Sequence, residues 1–124
     1  MIKNLKKILS WACENGHIEI VKYLFKNEIQ IDKNNDKILN LACRNGHLVI
    51  VKYLVRNGFD VNVNNGVCII TSAEFGHLEI VKYLIKKGIN IYTNNNEALL
   101  LASELGYLKI VKCLVKKWRR YSYQ

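Results

Sequence analysis

The 124-residue chain lacks any apolar run approaching the roughly 18–20 residues of a membrane span, so no transmembrane helix is predicted. The N-terminal segment 1–10 is basic and partly apolar, but it lacks a continuous apolar region and a small-residue cleavage site. We therefore interpret it as mature sequence. The four cysteines form no C-x-x-C pair, which excludes the usual zinc-knuckle and thioredoxin patterns.

Motifs for catalysis are missing as well. The sequence contains no glycine-rich phosphate loop, no nucleophile elbow and no cysteine–histidine pair at a catalytic spacing. The recurring acidic residues Glu14, Glu74 and Glu104 have no predicted cleft that would bury them and exclude water. We therefore predict that the protein is not an enzyme and that it has no cofactor and no metal site.

Acidic residues are few compared with basic ones, ten against nineteen, which gives a formal charge of +9 at pH 7. A basic surface attracts nucleic acid, acidic proteins or anionic membranes without selecting among them. The chain also lacks proline and is rich in lysine, asparagine and isoleucine, whose codons are A/T-rich. Genome composition is therefore an alternative explanation for part of the charge.

What the chain does contain is one segment repeated four times. Its glycines are spaced 30 residues apart, at Gly16, Gly46, Gly76 and Gly106. Each glycine directly precedes a version of the segment His-Leu-Glu-Ile-Val-Lys-Tyr-Leu, which is found at 77–84. A period of roughly 20 to 50 residues is typical of stacked repeat proteins. We predict a single domain, 1–124, of four repeats at approximately 5–34, 35–64, 65–94 and 95–124.

The third copy shows the predicted secondary structure of one repeat. Asn65-Gly66 is predicted to form a turn, and 67–75 a short helix that ends at a glycine. The second helix, at about 78–87, has one apolar face, made by Leu78, Val81, Leu84 and Ile85. Helices this short are marginal alone in water, so neighbouring repeats must cover them. We predict an all-α fold, an α-solenoid of helix-turn-helix units joined by short extended loops.

These residues resemble the ankyrin repeat over almost the whole chain. The segment 76–84 is close to the second-helix signature of that family, and Ala12-Cys13 and Ala42-Cys43 match the small pair of its first helix. The sequence departs from the family pattern in two ways. Its period is 30 residues instead of about 33, and the first helix does not open with Thr-Pro-Leu-His. The missing threonine and histidine side chains would normally bond neighbouring repeats. This shortened form is similar to the ankyrin proteins of giant DNA viruses of amoebae.

The resemblance implies a non-catalytic module that binds a protein partner, a host protein if the chain is viral, through its concave face. By position, eight residues would make the contact: Glu14, Asn15, Arg44, Asn45, Glu74, Phe75, Glu104 and Leu105. An exposed aromatic residue at 75 beside an exposed leucine at 105 is a candidate hot spot. The alternative is that both side chains pack onto the neighbouring repeat.

Basic residues recur on the second helices, where i and i+4 positions share one outward face. They predict two ladders on the convex side: Lys22, Lys52, Lys82 and Lys112, and Lys26, Arg56, Lys86 and Lys116. The simplest interpretation is a solvated face, and the alternative function is electrostatic association with nucleic acid. The tyrosines Tyr23, Tyr53 and Tyr83 are expected to pack between repeats.

The turn histidines His17, His47 and His77 are expected to bond and pack at the helix junction. Stacked helices lie about 8–10 Å apart, so these side chains cannot share one metal ion. Cys13 and Cys43 stand where a small buried side chain is required and are predicted to be reduced thiols. Such thiols indicate an intracellular, reducing compartment, the cytoplasm of the host cell if the chain is viral.

The ends of a repeat array need polar faces. The basic, aromatic segment 118–124 is expected to fold back as a cap, and the alternatives are docking elsewhere or end-to-end stacking of copies. We expect a monomer with no membrane partner, and end-to-end self-association as the alternative.

Overall fold

The computed structural model describes residues 4–27 and 30–122, and every regular element within these ranges is an α-helix. The helices form four consecutive pairs: α1 (Leu5–Asn15) with α2 (Ile18–Lys26), α3 (Asp36–Arg44) with α4 (Leu48–Arg56), α5 (Val63–Glu74) with α6 (Leu78–Lys86), and α7 (Thr93–Leu105) with α8 (Leu108–Ser122). The predicted all-α solenoid is confirmed.

A tight glycine turn joins the two helices of each pair. Gly46 has φ +76°, a left-handed conformation that only glycine adopts without a steric penalty. Immediately after it, the amide of His47 donates to the carbonyl of Ala42 at 3.0 Å, which closes the end of α3. Because the turn is short, each second helix folds back along its first helix.

The helix pairs stack in sequence order. First helices contact first helices from α1 to α3, α5 and α7, and second helices contact second helices from α2 to α4, α6 and α8. One continuous core lies between them, and its largest buried side chains recur at the repeat spacing, as in Leu54, Leu84 and Leu114. Each repeat therefore completes the core of the next.

The connectors before α5 and α7 differ from the extended loops that the sequence predicts. Asn64, Asn65 and Gly66 have φ values of +49°, +55° and +72°, so the chain makes a left-handed turn before the regular part of α5 begins. Asn94 and Asn96 adopt the same region, at φ +50° and +64°. Asparagine tolerates this conformation better than most residues, which explains its use here.

The last helix is longer than the other second helices, and the expectation that 118–124 folds back as a cap is wrong for 118–122. These residues continue α8, whereas 123–124 lie outside the described residues. The physical reason is visible at Trp118, which stands where Gly58 and Gly88 end the preceding second helices. In the parts of the chain that the structure describes, no helix is long and apolar enough to cross a membrane.

Candidate protein-binding face

The eight candidate contact residues lie at the C-terminal ends of the first helices, where all eight are exposed. We call this set the strip: Glu14, Asn15, Arg44, Asn45, Glu74, Phe75, Glu104 and Leu105. Successive repeats each contribute two neighbouring side chains, so the strip runs along the array. The stacking of α1, α3, α5 and α7 therefore sets its spacing.

Phe75 and Leu105 keep much of their surface in solvent, with 42% and 49% of it exposed. Phe75 also contacts the preceding repeat, because the guanidinium carbon of Arg44 lies 5.1 Å from the centre of its ring. Such a cation–π contact holds an exposed ring in one orientation. Phe75 thus combines both sequence interpretations: one side of the ring packs on the neighbouring repeat, and the rest is accessible.

The asparagines of the strip fold back onto their own helices. The amide nitrogen of Asn15 donates to the carbonyl of Trp11 at 2.8 Å, and that of Asn45 donates to the carbonyl of Leu41 at 2.9 Å. Each bond ties the asparagine side chain to a carbonyl group one turn earlier in its own helix. The first two repeats therefore present a fixed polar surface, whereas the last two present apolar side chains.

A groove of about 490 Å³ lies beside the strip between the first two repeats, lined in part by Trp11, Glu14, Ile31 and Leu41. Trp11 is 55% exposed, and the ammonium of Lys7 lies 5.3 Å from the centre of its ring. Sequence reasoning missed Trp11 as a candidate contact residue. The available signal was its aromatic side chain at a position where Leu41 and Thr71 stand in the next copies.

Hydrogen bonds from the turn histidines join consecutive repeats. His47 Nε2 donates to the carbonyl of Glu14 at 2.8 Å, and His77 Nε2 donates to the carbonyl of Arg44 at 2.7 Å. His47 and His77 thus make the expected bond at a helix junction, and the acceptor belongs to the preceding repeat. These bonds provide contacts between repeats in a chain that lacks the threonine and histidine of the usual first-helix opening.

The connectors add polar contacts of their own. The amide nitrogen of Asn64 donates to a carboxylate oxygen of Asp36 at 2.9 Å, and the backbone amide of Asn90 donates to the side-chain oxygen of Asn62 at 3.0 Å. Both bonds join residues 28 positions apart, so they link neighbouring repeats. The loops therefore help to fix the relative position of the helix pairs.

The side chains of the basic ladders differ in their exposure and in their contacts with other side chains. Lys22 and Lys52 are half-buried, whereas the remaining six members are exposed: Lys26, Arg56, Lys82, Lys86, Lys112 and Lys116. Lys22 and Lys82 pair with Glu19 and Glu79 at 4.0 and 3.6 Å. The ammonium of Lys52 lies 5.7 Å from the centre of the Tyr83 ring, so it contacts the next repeat.

The tyrosines confirm the packing expectation in two copies out of three. Tyr53 makes an edge-on contact with Phe25 at 5.3 Å between ring centres, and Tyr83 is buried. Tyr23 is 66% exposed, so the expectation that it packs between repeats was wrong. The physical reason is its place in the first repeat, because the side chain of each tyrosine is covered by the repeat before it.

The thiols are buried and unpaired. Cys13, Cys43 and Cys68 lie in the core as free cysteines, and Cys113 is half-buried. Burial raises the pKa of Cys13 to about 12, and a hydrogen bond with Cys43, together with burial, raises the pKa of Cys68. Within 4–27 and 30–122, no cluster of three or more histidine, cysteine or acidic side chains could hold a metal ion.

The helix pairs, the glycine turns and the stacked core correspond to a known family. A family model described as ankyrin repeats, in three copies, matches residues 2–65 and 67–122. The chain belongs to the ankyrin-repeat family. Ankyrin repeats are generally non-catalytic modules for protein–protein interaction. A comparison with curated proteins finds none that matches this ankyrin chain.

Proposed function

We propose that residues 1–124 form one array of four ankyrin repeats that binds a protein partner through the strip. The observation that supports this most strongly is the exposure of Phe75 and Leu105 at equivalent positions of adjacent repeats. Large apolar side chains at such positions, surrounded by polar groups, are typical of binding hot spots.

The mechanism is preorganisation. Arg44 holds the Phe75 ring from one side, and the strip residues lie at the ends of helices that are packed against their neighbours. Side chains that are already ordered lose little conformational freedom when a partner docks. The binding free energy then depends mainly on burial of the two apolar side chains.

The charges of the strip indicate the chemistry of the partner. Glu74 and Glu104 precede Phe75 and Leu105, and Arg44 lies against the Phe75 ring, so the rim of the apolar pair has two acidic groups and one basic group. We expect a partner that inserts an apolar side chain and carries basic groups opposite the two glutamates. If the likeness to giant amoebal viruses holds, this partner is a host protein.

The test compares partner retention by a variant of the strip with retention by a control variant that loses exposed apolar surface elsewhere. A double variant, Phe75→Ala with Leu105→Ser, should lose a partner that the unchanged array retains from a host-cell extract. Val49→Ala is the matched control, because Val49 is 63% exposed on α4, outside the strip. Circular dichroism must show equal helicity in all three chains.

Two outcomes contradict the proposal. If the double variant retains the partner as well as the Val49→Ala control does, the strip is not the contact. If helicity and retention fall together in the double variant, Phe75 and Leu105 stabilise the fold and do not act as a binding surface.

The exposed members of the basic ladders support nucleic-acid association as a second candidate function. Lys26, Arg56, Lys86 and Lys116 are exposed at one position of each second helix. Each phosphate contact contributes a slope of about −0.9 to the dependence of log affinity on log salt for duplex DNA. Binding to random DNA that disappears at physiological salt would leave only unspecific attraction.

A further inference from the structure

The first repeat exposes a face whose counterparts are buried or half-buried in the later repeats. Ile20 is 44% exposed, whereas the equivalent residues are 1%, 1% and 2% exposed: Ile50, Ile80 and Ile110. Trp11 is 55% exposed and its counterpart Thr71 only 7%. In the later copies, the preceding repeat covers these positions. We call this surface the N-terminal face, defined by Ile8, Trp11, His17, Ile20 and Tyr23.

The other end of the array has the complementary surface. Each earlier turn glycine is covered by a ring from the next repeat: a Cβ atom on Gly46 would lie 2.7 Å from Cε1 of His77, and one on Gly76 would lie 2.9 Å from the Tyr107 ring. At Gly106, no atom of the described residues lies within 4 Å of that position. We call this surface the C-terminal face, defined by Leu100, Ser103, Glu104, Gly106 and Leu108.

The contacts between internal repeats fix how these two faces would meet. His47 and His77 each bond the carbonyl two residues before the glycine that they cover, which is Glu14 before Gly16 and Arg44 before Gly46. The same geometry places His17 of a second copy over Gly106, with its Nε2–H directed at the carbonyl of Glu104.

The apolar side chains agree with this register. Leu100 is 61% exposed, whereas Ile70, its counterpart one repeat earlier, is 8% exposed under the next repeat. A depression of about 530 Å³ in the N-terminal face, lined in part by Ile8, Trp11 and Ile20, can receive such side chains. We propose that the N-terminal face binds the C-terminal face of a second copy, so that chains stack head to tail.

The occupant is a second copy because one chain carries both halves of the contact. Among residues 4–27 and 30–122, His17 meets no carbonyl and glycine surface like those its counterparts use, and Gly106 receives no ring like those that cover its counterparts. The contact joins two different faces, so it does not close on itself and produces open stacks of increasing length.

Charge makes this association weak at low salt. Lys6 and Lys7 lie beside the N-terminal face, and Lys109 and Lys112 lie on the helix of the C-terminal face. Glu104 offsets part of this charge, but two copies that each carry a formal charge of +9 repel each other. The Debye length falls from about 10 Å at 0.1 M salt to about 3 Å at 1 M. Added salt should therefore strengthen stacking, which is the opposite of its effect on a contact made by ion pairs.

Sedimentation equilibrium of the full chain tests the proposal. We expect a monomer of 14.4 kDa at low micromolar concentration and a weight-average mass that rises beyond that of a dimer toward about 1 mM, more steeply at high salt. A chain that remains monomeric to about 1 mM at both salt concentrations overturns the proposal and leaves the N-terminal face for a different protein.

Variants of each face give the decisive comparison. Gly106→Asn should lower the association constant at least about tenfold, because an asparagine tolerates φ +80° but fills the position above residue 106. Gly88→Asn is its matched control, with φ +83° and nothing within 4 Å, away from both faces. His17→Ala combined with Ile20→Gln should weaken stacking equally, with Val49→Gln as its control.

Mixing the two face variants distinguishes head-to-tail stacking from any symmetric dimer. Each variant alone should associate at least about tenfold more weakly than the unchanged chain, yet an equimolar mixture should form a dimer and nothing larger, since each chain retains one intact face. If the Gly106→Asn chain alone associated as strongly as the unchanged chain, the contact would not use the C-terminal face, and the proposal would be overturned. Control variants that weaken association as strongly as the face variants would also overturn it.

Discussion

The contact between a turn glycine and the histidine of the next repeat predicts a specific stability effect. An alanine at Gly46 would place its Cβ atom 2.7 Å from Cε1 and 2.8 Å from Nδ1 of His77. Real Cβ atoms do not approach that closely, so the imidazole must move. Its Nε2 would then lose the 2.7 Å hydrogen bond to the carbonyl of Arg44. Gly46→Ala should therefore destabilise the array at the boundary between the second and third repeats.

Two contributions to the free energy of unfolding can be estimated. The left-handed backbone at φ +76° costs a residue with a side chain about 1–2 kcal/mol. Loss of the histidine bond costs about 0.5–1.5 kcal/mol more. Gly88→Ala serves as the reference, because Gly88 has φ +83° and open space around it, so only the first contribution applies. Gly46→Ala should thus exceed Gly88→Ala by about 0.5–1.5 kcal/mol.

Urea denaturation followed by circular dichroism measures both free energies of unfolding, provided that the slope of the free energy against urea concentration is the same in all variants. A double-mutant cycle isolates the contact. In the His77→Ala background, Gly46→Ala should cost no more than Gly88→Ala, because no imidazole remains to be displaced. Additive effects of His77→Ala and Gly46→Ala, or equal effects of the two glycine substitutions, would refute the reasoning.

Three further predictions concern single buried or strained groups. Burial raises the pKa of Cys13 to about 12, so folding should keep this thiol protonated. The free energy of unfolding should therefore fall as pH rises from the ordinary thiol pKa of 9.0 toward 12. Cys13→Ala should flatten this pH dependence, which urea titrations at several pH values would measure. Tyr83→Phe should raise the melting temperature, because the buried hydroxyl has no hydrogen-bond partner among the described residues and an unsatisfied group costs about 1–3 kcal/mol. Asn65→Ala should destabilise by at most about 1–2 kcal/mol, because alanine tolerates the φ of +55° less well than asparagine does. Asn34→Ala, in the preceding connector and without a positive φ, should have a much smaller effect in the same urea assay.

The repeated part of the structure could be predicted from the sequence because the same physical requirement recurs every 30 residues. A glycine is needed at Gly46 for the left-handed turn, and apolar residues such as Leu54 and Leu84 are needed on the covered face of each second helix. Four copies with the same pattern leave little ambiguity about helix type, turn and core. Fold class therefore followed from periodicity alone.

Contacts between repeats were less predictable, because a sequence pattern does not identify the acceptor of a hydrogen bond. Nothing in the spacing of His77 indicates that its ring reaches the carbonyl of Arg44 across the stack. The exposure of Tyr23 and the continuation of α8 through Trp118 come from the ends of the array, where the repeat rule stops. For α8 the signal was present, since a tryptophan replaces the glycine that ends the earlier helices.

The contact between a turn histidine and the preceding repeat contributes a different net free energy within one chain than between two chains. Inside the array, the connector holds consecutive repeats together, so the bond between His47 and Glu14 forms without loss of translational freedom. Between two chains, an equivalent contact through His17 must first offset an association cost of about 4–15 kcal/mol. Contacts strong enough to hold four repeats in register can therefore give only weak stacking of separate chains. A fifth repeat fused before Leu5 should consequently stabilise the array far more than the same repeat added in solution, because fusion removes that association cost.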